Sequence, residues 1–144
     1  MSKLNTNRTA QTQLVAEFVF DFDDTMEDIN GVLQDFAAAG SKVFDMSGIP
    51  PDAVLMGGEI VTETAIAGST GYDISVGDSA AAGRYANAVN KLAAGRTALN
   101  LTGFVTDGTP LRLTVDITGE ATAGKISVRA VYAVRDRGGE VAAY

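Results

Sequence analysis

Pro50-Pro51 opens the most constrained stretch of the chain, and an alternating run follows from Ala53 to Ala67 with Gly57-Gly58 set inside it. Proline supplies no backbone N–H and holds φ near the extended range, so the pair marks a boundary. After it, Ile60, Thr62, Thr64 and Ile66 share one face, the period of a strand. A Gly-Gly pair within such a strand predicts a bulge or the close approach of another backbone.

The same period recurs along the chain. Ala16, Phe18, Phe20 and Phe22 alternate with Val15, Glu17, Val19 and Asp21, which predicts a half-buried strand with its phenylalanines inward. Tyr72, Ile74 and Val76 alternate with Asp73 and Ser75 after the turn Gly68-Ser69-Thr70-Gly71. Leu111, Leu113, Val115 and Ile117 form a further strand, and Gly119 to Gly124 the turn after it. Ile126, Val128, Ala130, Tyr132 and Val134 line the inner face of the last strand, with Ser127, Arg129, Val131, Ala133 and Arg135 outside. Val43 to Met46 and Leu99 to Val105 read as shorter strands. Two segments carry helical spacing: Ile29, Val32, Leu33 and Phe36 within 28–39, with Asp28 as cap, and Tyr85, Ala88, Val89 and Leu92 within 78–92. Gly31 weakens the first, which reads as a short helix or a structured loop.

Strands this closely spaced, joined by glycine-containing turns, predict an all-β protein: an antiparallel β-sandwich of jelly-roll type with one or two short helical segments. The length of 144 residues suits one domain. Residues 1–13 read as a flexible polar arm, either disordered or ordering on a partner, and 14–144 as the sandwich.

Composition removes much chemistry. There is no cysteine and no histidine, so thiolate nucleophiles, histidine bases, disulfides and Cys/His zinc sites are excluded. Lys and Arg total 11 against 18 for Asp and Glu, a formal net charge of −7. No basic stripe suits phosphate, so no nucleic-acid partner is expected. No apolar run is long enough to span a bilayer, and the polar start lacks a signal peptide's apolar stretch. Synthesis in the cytoplasm and no membrane association follow as expectations.

Phe20-Asp21-Phe22-Asp23-Asp24-Thr25 resembles the nucleophile motif of haloacid-dehalogenase-type phosphatases. That resemblance would make Asp21 the nucleophile and Asp23 the acid–base, with Asp78 of Val76-Gly77-Asp78-Ser79 near magnesium. Such enzymes need a parallel sheet wrapped by helices, whose strands are nearly unbroken apolar runs. Glu17 interrupts the first strand here, and the chain after Leu99 still alternates. A solvated acidic turn is the competing reading. As a calcium loop the cluster lacks the glycine an EF-hand needs where Met26 stands, which leaves a looser calcium site against the same solvated turn. Arg84-Tyr85 and Gly95-Arg96 are either partner anchors or an ordinary surface salt bridge and a part-buried tyrosine.

The order Ile49-Pro50-Pro51-Asp52-Ala53-Val54, Gly57-Gly58-Glu59-Ile60-Val61, Ile74-Ser75-Val76-Gly77-Asp78-Ser79, Gly83-Arg84-Tyr85, Ala94-Gly95-Arg96-Thr97-Ala98-Leu99 and Ala121-Thr122 through Gly124 resembles capsid decoration, or cement, proteins of tailed bacteriophages. The likeness runs from about Pro50 to Val134, through the order of the segments rather than any one motif. It implies a non-enzymatic virion protein on the outer surface of the phage head, with no catalytic residue, cofactor or metal. The implied partners are the major capsid protein and further copies of the chain, as a dimer or trimer. Another virion role (head-tail adaptor, tail or fibre) is the alternative. The arm, the loop from Asp23 to Asp28 and the tail from Gly138 are the candidate contact segments.

Overall fold

The computed structural model describes residues 13–46 and 48–134. Ten strands fill it: β1 Leu14–Asp21, β2 Thr25–Glu27, β3 Leu33–Asp35, β4 Gly40–Asp45, β5 Ala53–Ala67, β6 Gly71–Gly77, β7 Ala86–Asn90, β8 Gly95–Ala98, β9 Arg112–Thr118 and β10 Ala123–Val134. Every pairing is antiparallel. One four-stranded sheet has the order β1-β10-β5-β8 and the other β4-β9-β6-β7, with β2-β3 as a separate hairpin. The two sheets bury their alternate residues against each other as an antiparallel β-sandwich.

The inward rows match the sequence pattern. Ala16 and Phe20 of β1, Ile126, Val128 and Ala130 of β10, and Leu113, Val115 and Ile117 of β9 are buried. Phe36 lies between the sheets and stacks on Phe20, with ring centroids 4.1 Å apart, and packs against Phe44 at 4.8 Å. Tyr72 is fully buried, and its hydroxyl donates to the Phe36 carbonyl at 2.8 Å, so its polar end is satisfied inside the core.

Neither expected helical segment forms; no helix occurs among the described residues. In the first, Asp28 caps a hairpin turn instead of a helix. Its carboxylate accepts the N–H groups of Asn30 and Val32, and its own N–H donates to the Val32 carbonyl. Gly31 takes φ 77°, the left-handed conformation that closes such a turn. In the second, Asp78 binds the N–H groups of Ala80 and Ala81 in a turn, and 86–90 then pairs with β6. Of the residues read at helical spacing, Ala88 and Val89 belong to an edge strand with a register shift. Leu99 to Val105 is not a strand either. Only Val105 makes an isolated bridge, to Val54, and the strand of this region is β8, just before it.

The Gly-Gly expectation holds on both counts. The β5–β10 register shifts between Val131, opposite Gly57, and Tyr132, opposite Leu55, leaving Met56 as the extra residue. At Gly58 (φ 146°) a Cβ would collide with the Arg129 carbonyl and the Leu99 side chain. The start of β5 is held by Thr106, whose hydroxyl donates to Pro50 O and accepts the Ala53 N–H.

Candidate functional site

The acidic turn follows the edge strand β1. Carboxylate oxygens of Asp21, Asp23 and Asp24 lie within 4.8 Å of one another. Asp24 is committed to the turn itself: it accepts the Asp21 N–H at 2.7 Å, and its own N–H donates to the Asp21 carbonyl. Asp21 ends a strand of the first sheet, whereas Asp78 follows β6 of the second. No parallel pairing occurs among the described residues, so the nucleophile-bearing parallel strand of a haloacid-dehalogenase fold is missing and the phosphatase reading has no support.

Asp78, Arg84 and Tyr85 form a structural knot. Arg84 Nε donates to Asp78 Oδ2 at 2.7 Å, and its guanidinium lies 3.5 Å from the centroid of the Phe104 ring. Burial pushes the Asp78 carboxyl up, but Arg84 and the N–H groups of Ala81 and Ala80 outweigh it and hold it below the usual aspartate value. Tyr85 is 1% exposed, and its hydroxyl has no hydrogen-bond partner among the described residues. The Arg84-Tyr85 pair therefore ties the β6–β7 turn to the β8–β9 loop; the salt bridge is mostly buried and the tyrosine fully so, where the sequence reading had a surface bridge and a part-buried ring as the alternative to an anchor.

Two surfaces remain that could meet a partner. The β2–β3 hairpin exposes Ile29, Val32 and Leu33, the last at 67%. These are three of the four residues read as an inward helical face; only Phe36 turns inward. The hairpin is nonetheless fixed to the body. The Ile29 N–H donates to Val43 on the free edge of β4. The buried Lys42 sends its ammonium to the Asp35 carbonyl at 2.6 Å and the Asp35 carboxylate at 3.0 Å. Backbone N–H of Ala38 above all, then Lys42, hold the Asp35 carboxyl below its ordinary value.

The outer face of the β1-β10-β5-β8 sheet is the second surface. Its register sets Glu17 opposite Arg129 and Arg129 opposite Glu59. Arg129 Nε donates to Glu17 at 3.0 Å and Nη1 to Glu59 at 3.4 Å, while Arg96 of β8 pairs with Glu59 from the far side. A ladder of alternating charge thus crosses all four strands. Val15 and Val131 flank it on one side and Val19 and Val61 on the other, with Val15 58% and Val19 44% exposed. Sequence reading placed Glu17 and Arg129 facing outward but had no means of joining them, because they stand 112 positions apart. The arm, apart from Gln13, and the tail from Gly138 lie outside the described residues.

No protein-family model matches the chain, and no curated protein matches it. Solved structures do. A chain of the cyanophage Pam1 capsid asymmetric unit superposes with a TM-score of 0.55 at 14% identity, over 93% of this chain and 92% of that one. A chain of the acidic stable capsid of Helicobacter pylori bacteriophage KHP30 superposes with a TM-score of 0.58 at 14% identity, over 88% and 92%. The chain therefore shares its fold, nearly end to end, with chains built into phage capsids.

Proposed function

We propose that this chain is a non-enzymatic virion protein that decorates the outside of a phage head and cements neighbouring major capsid protein subunits. One observation carries the reading: the fold likeness to two phage capsid chains extends over about nine-tenths of both partners. The whole molecule, rather than a shared sub-motif, corresponds to a capsid component.

The topology supports a jelly roll as the fold behind that role. With the β2–β3 hairpin set aside, eight strands remain. They run first-eighth-third-sixth in one sheet and second-seventh-fourth-fifth in the other, the nesting of two Greek keys. A rigid sandwich of this kind presents fixed surfaces to a repeating lattice. The net charge of −7 favours the outer surface over a DNA-packed interior. The hairpin supports a contact with the capsid protein, since Ile29, Val32 and Leu33 lose water-exposed apolar area on docking while the Lys42 clamp keeps the hairpin from reorganising. Copies of the chain associate in the same reading, which multiplies weak contacts into avidity. Binding only the intact shell then stabilises the shell by mass action.

The test is co-sedimentation of the pure chain with empty heads of the phage that encodes it, followed by electron microscopy of the decorated particles. Extra density on the head exterior, lost with Leu33→Asp, is the expected result. Failure to bind heads at any salt concentration would overturn it, and density at the tail would move the chain to the adaptor or tail alternative.

A further inference from the structure

We propose that two copies of this chain pair face to face through the outer surface of the β1-β10-β5-β8 sheet, related by a twofold axis that runs along the strands between β10 and β5. The inference rests on the reading that copies associate, and it names the face and the symmetry.

The charge order decides the occupant. Followed through its ion pairs the ladder reads Glu17, Arg129, Glu59, Arg96, alternating in sign with two charges of each kind; Arg96 stands opposite Val61 and reaches Glu59 diagonally. The proposed axis reverses that order in the second copy. Arg129 then faces the other copy's Glu59, and Glu17 faces its Ala98, two residues along β8 from the Arg96 whose guanidinium turns back to the row through Glu59, so the ladder's acidic and basic groups meet without a like-charge contact. A face that is its own complement is what an isologous dimer requires. An axis running along the ladder itself would set Glu17 against Glu17 and is excluded by repulsion.

Shape agrees with charge. Under the same axis Val131 of β10 comes over Gly57 of β5, where the missing side chain leaves a hollow. Val15, Val19 and Val61 flank the ladder and supply apolar area. Three strands of at least eight residues and the four-residue β8, about 4.8 Å apart, give a face of roughly 450 Å². Two such faces bury on the order of 900 Å², the size of a weak, reversible interface. The outer face of the other sheet has no such order: Ser41, Asp116, Asp73 and Asn90 cross it in one row, with two aspartates side by side.

Charge-swapped variants test this. Glu17→Lys with Glu59→Lys makes an all-positive ladder, and Arg129→Glu with Arg96→Glu an all-negative one. Sedimentation velocity of the full chain is expected to show a dimer for wild type and a monomer for each variant alone, with affinity reduced at least ~30-fold. A mixture of the two variants is expected to restore a 1:1 heterodimer. A wild-type monomer across micromolar concentrations, a dimer that survives either swap, or a mixture that stays monomeric would overturn the proposal. Should a swapped chain fold poorly by circular dichroism, Val15→Lys with Val19→Lys replaces it. Both valines are solvent-exposed, and a dimer unaffected by that pair would equally overturn the face assigned here. Head binding is measured separately. Heads decorated by a monomeric chain would defeat this inference alone, and a dimer that ignores heads would defeat the capsid reading alone.

Discussion

The two outer faces of the sandwich are built from strands of the same period but are different surfaces. On the β1-β10-β5-β8 sheet, valines stand beside an ordered ladder of paired charge. On the β4-β9-β6-β7 sheet, the outward residues include Ser41, Asp116, Asp73, Thr114 and Ser75, with a single Asp45–Arg112 ion pair at one end, and Asp73 sits directly opposite Asp116 with no ion pair to either among the described residues. None of the large exposed hydrophobic residues lies on the strands of that sheet. Water is a sufficient partner for the second face and a poor one for the first. The inner faces are alike, so fold stability does not distinguish the sheets; their outward chemistry does.

The most severe disruption tests what the faces share. Phe36→Ala removes the ring between Phe20 and Phe44 and is expected to cost ~3–5 kcal/mol in urea unfolding. Hydrogen exchange should then show both sheets losing protection together. Survival of one sheet alone would mean that the faces belong to separate cooperative units. Next in size, Gly58→Ala is expected to cost about 2 kcal/mol or more, since its Cβ meets backbone at a φ that side chains avoid. Gly57→Ala, whose Cβ meets only Val131 at 3.9 Å, should cost under about 1 kcal/mol. On the proposed dimer, however, it should fill the hollow and weaken association. Equal effects of the two alanines on folding would contradict the bulge.

Acid should act mainly through residues that brace the second sheet. Asp35 and Asp78 are both held below the ordinary value of 3.8, Asp35 chiefly by the Ala38 N–H and Lys42, and Asp78 by Arg84 against its own burial. Their native forms resist protonation longer than the unfolded chain does. Their stabilisation is complete above the ordinary value and is lost as pH falls through the lowered ones. Melting temperature should therefore fall below about pH 4, and Asp35→Asn or Asp78→Asn should flatten that fall. A fall of unchanged steepness in both variants would remove these two carboxylates from the account.

The smallest changes carry opposite signs on the two faces. Asp116→Asn relieves a like-charge pair and should gain ~0.2–1 kcal/mol in thermal melts. Glu17→Gln takes one charge from the ladder and should lose up to about 1 kcal/mol. Matching signs would erase the distinction between the faces.

Much of the frame was legible in the chain. The inward positions of Phe20, Leu113, Val115, Ile126 and Val128 follow from period two alone, because burial on one side of a strand imposes it. Gly57-Gly58 announced its bulge. The 28–39 segment misled because Ile29, Val32, Leu33 and Phe36 fit a helical face as well as they fit a hairpin. The choice was made by Asp28 binding two N–H groups of its own turn and by Gly31 at positive φ. Alanine in 78–92 misled in the same way, since pairing with β6 overrides a modest helix propensity. Of the candidate surfaces, the Asp23 to Asp28 loop pointed at the hairpin, and the ladder had no local signal.

Alternation, glycine-marked turns and the absence of histidine and cysteine were enough to dictate an antiparallel β-protein with little catalytic vocabulary, because those constraints act over a few residues. Which strands lie side by side was decided only when the sheets closed, since a strand's edge is satisfied by any compatible partner. That pairing brought Glu17, Glu59, Arg96 and Arg129 from four distant segments onto one face and left Asp73 against Asp116 on the other.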